Sequence, residues 1–201
     1  MVYSVITAAL LGYFLGALPF GWLVARVNGI DIFEVGSKSP GATNVKRSVG
    51  SNAGNLVFAL DALKGAAAAY SPRILFSSQD IVLQLSLLAV VCAIVGHSFS
   101  CFTRFKGGKG VATAAGSFFV LMPYLAAFAI IFWVILFYTS RYVSVASIGA
   151  ALALPLAAYF THQDNAKIFI CTASAIFIIV RHRANIKRLI SGTENRWNSK
   201  K

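Results

Sequence analysis

Gly110–Tyr138, GVATAAGSFFVLMPYLAAFAIIFWVILFY, runs for 29 residues without a charge. A membrane helix needs roughly 20 apolar residues, so this run is too long for one upright crossing and short for two. Pro123 interrupts it, and a proline inside a helix removes a backbone donor and clashes with the preceding turn. Charge decides the count. Taken as one span, the stretch would place the C-terminal tail opposite the first two basic loops, against the excess of Lys and Arg that cytoplasmic loops carry. Taken as two short helices hinged near Met122 to Tyr124, it leaves fifteen of the eighteen Lys and Arg residues on one side. Only Arg73 and Lys167 then fall on the other side, with Lys64 inside the membrane.

Working outward, Val2–Val27, Ala53–Leu75, Ile81–His97, Val143–Phe160 and Asn165–Val180 read as the remaining spans. The expectation is an all-α integral membrane protein, 1–201 forming a single transmembrane domain with about seven transmembrane helices, some short. Composition agrees: 58% of the residues are hydrophobic and 12% charged, whereas soluble domains carry about 25% charged residues. The net charge of +12 fits cytoplasmic loops and phosphate or anionic-lipid ligands better than nucleic acid. Cys92, Cys101 and Cys171 form no C-x-x-C pair, and no disulfide framework is implied. The first apolar run lacks a basic n-region and a small-x-small cleavage site, so it reads as a retained span. Gly12, Gly16 and Gly21 suggest close helix packing.

Three basic arms separate or follow the spans. The first holds GSKSPGATNVKRSVGS, Gly36–Ser51, with Ser37, Lys38, Lys46 and Arg47. The second is GHSFSCFTRFKGGKGVATAAG, Gly96–Gly116, in which Arg104, Lys106 and Lys109 surround Gly107, Gly108 and Gly110. Glycines let backbone amides turn toward a ligand at φ values that other residues avoid. Amides, cations and a helix beginning at Val111 together make an anion cradle. It is not a nucleotide P-loop, because Thr103 stands where that motif needs its first glycine and Gly110 follows the lysine. The third arm, RHRANIKRLISGTENRW at Arg181–Trp197, reads as helical at first, with Arg181, Asn185 and Arg188 on one face.

Asp61 and Lys64 lie three apart in the second span, close enough to pair. An intramembrane pair reads either as a functional site or as a lock joining this helix to a neighbour. His162 reads as an exposed loop residue. His97, with Ser98, Ser100 and Cys101 nearby, invites a nucleophile-and-base reading, but no orienting acid is evident in the sequence around it. Two ligands, His97 and Cys101, fall short of a zinc site, so no metal is expected. A channel or transporter could use Asp61, Lys64 and the break at Pro123, but no repeated halves are detectable.

GSKSPGATNVKR, LDALKG at Leu60–Gly65, GHSFSCFTRFKGGKGVAT and RHRANIKRLISGTE, in that order and spacing, resemble the acyl-phosphate:glycerol-3-phosphate acyltransferase family (PlsY type) of bacterial inner membranes. The resemblance covers most of the chain. It implies transfer of a fatty acyl group from acyl phosphate to the sn-1 hydroxyl of glycerol 3-phosphate, the first step of phospholipid synthesis. The products would be 1-acylglycerol 3-phosphate (lysophosphatidic acid) and phosphate, with no cofactor, metal, ATP or acyl-CoA. By position it assigns Ser37, His97, Ser144 and Asn185 as catalytic. Arg47 and the second arm's Arg104, Lys106, Lys109, Gly107, Gly108 and Gly110 would bind the substrate phosphates. His97 is left open between base and orienting residue. The H-x-x-x-x-D signature of CoA-dependent acyltransferases is absent, Phe102 standing where its aspartate would be. The implied partners are both substrates, membrane lipid and the soluble enzyme that makes acyl phosphate. The implied location is the inner membrane, multi-pass, N-terminus outside and active site facing the cytoplasm.

Overall fold

The computed structural model describes residues 1–77 and 79–197. Ser78, in the expected turn Ser77 to Asp80, and the tail cations Lys200 and Lys201 lie outside the described residues. The described residues contain helices and connections and no strand, and they form two compact units, Met1–Leu121 and Met122–Lys201.

In the first unit, α1 (Val2–Ala17) and α2 (Phe20–Val27) make up the first apolar run, broken before Pro19. Proline disfavours a helical residue ahead of it, and Leu18 accordingly turns extended at ψ 119°. α3 (Ala42–Ser48) belongs to the first arm and packs on α4 (Ser51–Leu75), which also meets α1, α5 (Gln79–Ser98) and α6 (Val111–Leu121). Helices in lipid gain little from apolar burial and rely on close backbone approach over small residues. Gly12 and Gly16 of α1 sit on Ala89 and Ala93 of α5 with no room for a side chain, and Gly65 and Gly116 do the same across α4 and α6. Gly21, expected at a helix contact, instead meets the carbonyl of Pro40 in the first arm.

In the second unit, α7 (Pro123–Ser140) starts with Pro123 in its first turn, where the missing N–H costs nothing. The expected hinge falls at Met122, whose backbone leaves the helix at φ −145°. α7 packs against α8 (Val143–Phe160), and α8 against α9 (Asn165–Arg181). Asp164 caps α9 by accepting the Lys167 N–H at 2.9 Å. The tail departs from the expected continuous face: α9 ends at Arg181, and α10 (Arg183–Ile190) leaves it at a 57° bend around His182. The His182 ring is turned back onto the Ile178 carbonyl, Nδ1 to oxygen 2.8 Å.

Among the described residues, four stretches are long and apolar enough to cross a membrane, Val2–Val27, Ile81–Thr103, Pro123–Ser140 and Val143–Phe160, and the bent pair α9 and α10 makes a fifth if counted as one. α4 has the length, at 25 residues, but carries Asp61 and Lys64. α6, at 11 residues, rises about 16 Å, roughly half a bilayer's hydrocarbon core.

Candidate active site

The first arm is folded around one amide. Asn44, fully buried, donates from Nδ2 to the carbonyls of Val35 (3.1 Å), Ser39 (3.0 Å) and, longer, Ile32 (3.4 Å), while its Oδ1 accepts the Ser37 N–H at 2.9 Å. Loop carbonyls that would otherwise be orphaned are satisfied from the inside. Ile32 and Val45 then bury against Ala25 and Val57, fixing the arm to α2 and α4. Ser37 and Arg47 are presented on the exposed side.

The second arm leaves α5 at Ser98. Ser100 donates to the Ala17 carbonyl at 2.6 Å, and Thr103 Oγ1 donates to the Lys106 carbonyl at 2.7 Å, closing a tight turn. Two of the three glycines serve a different need from the expected one. Only Gly110 has a positive φ, at 84°, while Arg104 and Phe105 take left-handed conformations at 52° and 60°. Gly107 and Gly108 are needed for approach: a Cβ on Gly107 would strike the His97 carbonyl, and one on Gly108 the imidazole Nε2. Gly108 N–H donates to the His97 carbonyl at 3.1 Å, so the loop lies directly on His97 and runs into the N-terminus of α6, whose first N–H groups have no helical acceptor.

Beneath it is a buried charge cluster. Lys64 Nζ lies 2.8 Å from Asp61 Oδ1 and also donates to the Leu18 carbonyl at 2.8 Å. Lys64 and Ser100 thereby take two of the carbonyls left where α1 breaks, those of Leu18 and Ala17. His97 Nδ1 stands 3.6 Å from the same Asp61 oxygen, just beyond a hydrogen bond, and has no other hydrogen-bond partner among the described residues. Asp61, Lys64, His97, Pro40, Lys106 and Gly108 line one narrow cleft, which brings the two arms together. Lys106 Nζ also lies 6.0 Å from the ring centre of Phe33, just ahead of the Gly36–Ser51 block of the first arm.

Ser144 and Asn185, in the second unit, converge on a carboxylate. Ser144 Oγ donates to Glu194 Oε1 at 2.8 Å, Asn185 Nδ2 to the same oxygen at 2.7 Å, and Arg188 Nε to Oε2 at 2.7 Å. Burial pushes the Glu194 carboxyl up, but hydrogen bonds from Asn185, Ser144 and Arg188 outweigh it and hold the group below its ordinary range. The tail beyond is tied down by the Trp197 N–H, which donates to the Arg141 carbonyl at 2.8 Å.

His97, Lys106, Gly107 and Gly108 are thus assembled at one cleft, with Ser37 and Arg47 on the arm beside it, and Ser144 and Asn185 at one carboxylate. Three residues carry more than their sequence context indicates. Asp61 supplies the acid beside His97 that was not evident around it, because it lies on another helix. Glu194, an acidic residue inside the otherwise basic third arm, is its organising acceptor. Asn44 was one amide in a polar loop; its spacing from three carbonyls exists only in the folded arm.

The family model for glycerol-3-phosphate acyltransferase matches residues 6–192. A glycerol-3-phosphate acyltransferase of Fusobacterium nucleatum subsp. nucleatum is 41% identical over 93% of this chain and 95% of its own length. That of Aquifex aeolicus is 40% identical over 92% and 95%. A crystal structure of PlsY, an integral membrane glycerol 3-phosphate acyltransferase, in its glycerol 3-phosphate form superposes with a TM-score of 0.90 at 38% identity, covering 98% of this chain and 96% of that one. Its lysophosphatidic acid form gives 0.87 at 37% identity, over 98% and 96%. The chain belongs to the glycerol-3-phosphate acyltransferase family of integral membrane enzymes.

Proposed function

We propose that the protein transfers a fatty acyl group from acyl phosphate to the sn-1 hydroxyl of glycerol 3-phosphate. The observation that carries this reading is the glycine loop seated on His97 at the start of α6, with Lys106 at the cleft. Amides and cations so placed suit two phosphate-bearing substrates. The hydroxyl oxygen attacks the acyl carbonyl, its bond to the phosphate oxygen breaks, and the hydroxyl proton passes to an oxygen of the departing phosphate. The protein supplies position and charge: amides for the developing oxyanion, Arg47, Arg104, Lys106 and Lys109 for phosphates, and hydrogen bonds from Ser37, His97, Ser144 and Asn185 to orient glycerol 3-phosphate. α1 with α2, then α4, α5, α6, α7, α8 and α9 would make seven crossings of a bacterial inner membrane. The N-terminus would be outside and the arms in the cytoplasm, within reach of a soluble enzyme that makes acyl phosphate. Purified protein given glycerol 3-phosphate and acyl phosphate should form 1-acylglycerol 3-phosphate, identified by mass spectrometry. Transfer from acyl-CoA and not from acyl phosphate would overturn the reading.

A second reading, with His97 taking the proton, is favoured by one observation, the carboxylate of Asp61 beside Nδ1. The sequence places no carboxylate inside the glycine-rich blocks, yet folding brings Asp61 to their floor. His97→Gln separates the two. With phosphate as acceptor, Gln keeps hydrogen-bonding groups and loses less rate than His97→Ala, with the acidic limb of the pH–rate profile unchanged. With His97 as base, Gln is as inactive as Ala.

A further inference from the structure

We propose that Asp61 is a positioning residue for His97, holding the imidazole as its Nδ1–H tautomer beneath the glycine loop so that Nε2 turns its lone pair toward Gly108 and the cleft. The catalytic consequence rests on the acyltransferase reading; the tautomer rests on geometry alone.

Asp61 is 2% exposed and His97 9%, so water competes weakly for either. A carboxylate only accepts, which favours a proton on the ring nitrogen that faces it. Nδ1 faces Asp61 Oδ1 at 3.6 Å and has no hydrogen-bond partner elsewhere among the described residues, so no other described group sets the tautomer from that side. The other nitrogen lies against Gly108, where a Cβ would not fit. Lys64 holds the same carboxylate oxygen and, through the Leu18 carbonyl, ties it to the break between α1 and α2. The Asp61 oxygen that faces the ring is therefore itself held in place. Stability alone does not account for the arrangement. A buried ion pair commonly contributes no more than apolar residues of the same volume, and small-residue contacts already knit α4 to α6 and α1 to α5. A lock between helices needs Asp61 and Lys64; it does not need His97 as the third member.

Nitrogen NMR of the wild-type protein, labelled in its three histidines, reads the tautomer directly. The His97 signals are assigned by their loss in His97→Gln. A protonated Nδ1 and an unprotonated Nε2 are expected, and the opposite tautomer would overturn the proposal. In Asp61→Asn with Lys64→Met, both charges leave together, and the asparagine amide can donate to Nδ1 and reverse the preference. That variant should keep its melting temperature and a KM for glycerol 3-phosphate within about threefold, lose about tenfold or more in kcat, and lose little more when His97→Gln is added. A folded double variant with wild-type kcat and the wild-type tautomer would reduce the pair to a lock. If the double variant does not fold, the wild-type spectrum decides alone. If wild-type protein moves no acyl group from acyl phosphate, the functional reading has failed and the tautomer result still stands.

Discussion

Arg47 sits on the exposed side of the first arm, where a guanidinium can meet a phosphate with two parallel hydrogen bonds that an ammonium cannot reproduce. Arg47→Lys should therefore be costly despite keeping the charge. Loss of one charge-assisted contact costs about 1.5 to 3 kcal/mol, roughly ten- to a hundredfold in kcat/KM. Steady-state kinetics of Arg47→Lys, Arg47→Ala and Lys109→Ala would check it, and unchanged values in both alanine variants would remove the phosphate role. Glu194 makes a prediction of another kind. Its carboxyl titrates lower in the folded chain than the ordinary glutamate value of about 4.3. Its contribution to stability is thus complete above that value and lost as pH falls through the lowered folded one. Melting temperatures in detergent should decline over that acidic window, and Glu194→Gln should flatten the decline while lowering stability near neutral pH.

At the scale of elements, the contacts to test are those where backbone meets backbone. Gly65 faces the Thr113 carbonyl across α4 and α6, whereas Gly108 faces only the end of an imidazole. Gly65→Ala must push two helices apart, a loss of about 1 to 3 kcal/mol by the usual cost of overpacking. Gly108→Ala can be relieved by turning the His97 ring, so it should melt close to the parent and yet lose most of its activity. Thermal unfolding and kcat measured on both variants test the contrast. Equal loss of stability in the two would mean that the loop is a structural plug and not a seat for His97.

For the molecule as a whole, the charge asymmetry of the chain makes a prediction about topology. With seven crossings, cysteines placed at Lys38, Lys106 and Arg196 in a cysteine-free background should be protected from an impermeant thiol reagent in intact cells. One at Gln163, in the turn between α8 and α9, should be labelled. Labelling at Arg196 with protection at Gln163 would mean that α6 and α7 cross once between them.

The membrane class, the helical architecture, the hinge at Met122 and the positions of the three arms were legible in the sequence, because each depends on local properties. These are runs of apolar residues against a bilayer's thickness, a proline's missing donor, and clusters of glycine and basic residues. The bend at His182 was not, since the pattern from Arg181 to Arg188 is helical on either side of it. The site divides in the same way. The residues of the glycine loop announced an anion cradle, yet of its three glycines only Gly110 needs a left-handed backbone, and Gly107 and Gly108 are small because His97 and Ser98 lie under them. Asp61 beside His97, Glu194 beneath Ser144 and Asn185, and Asn44 inside the first arm were decided by tertiary structure alone. Hydrogen bonds and ion pairs act over a few ångströms, and only folding brings to that distance groups that are 36 positions apart in one case and 50 in another.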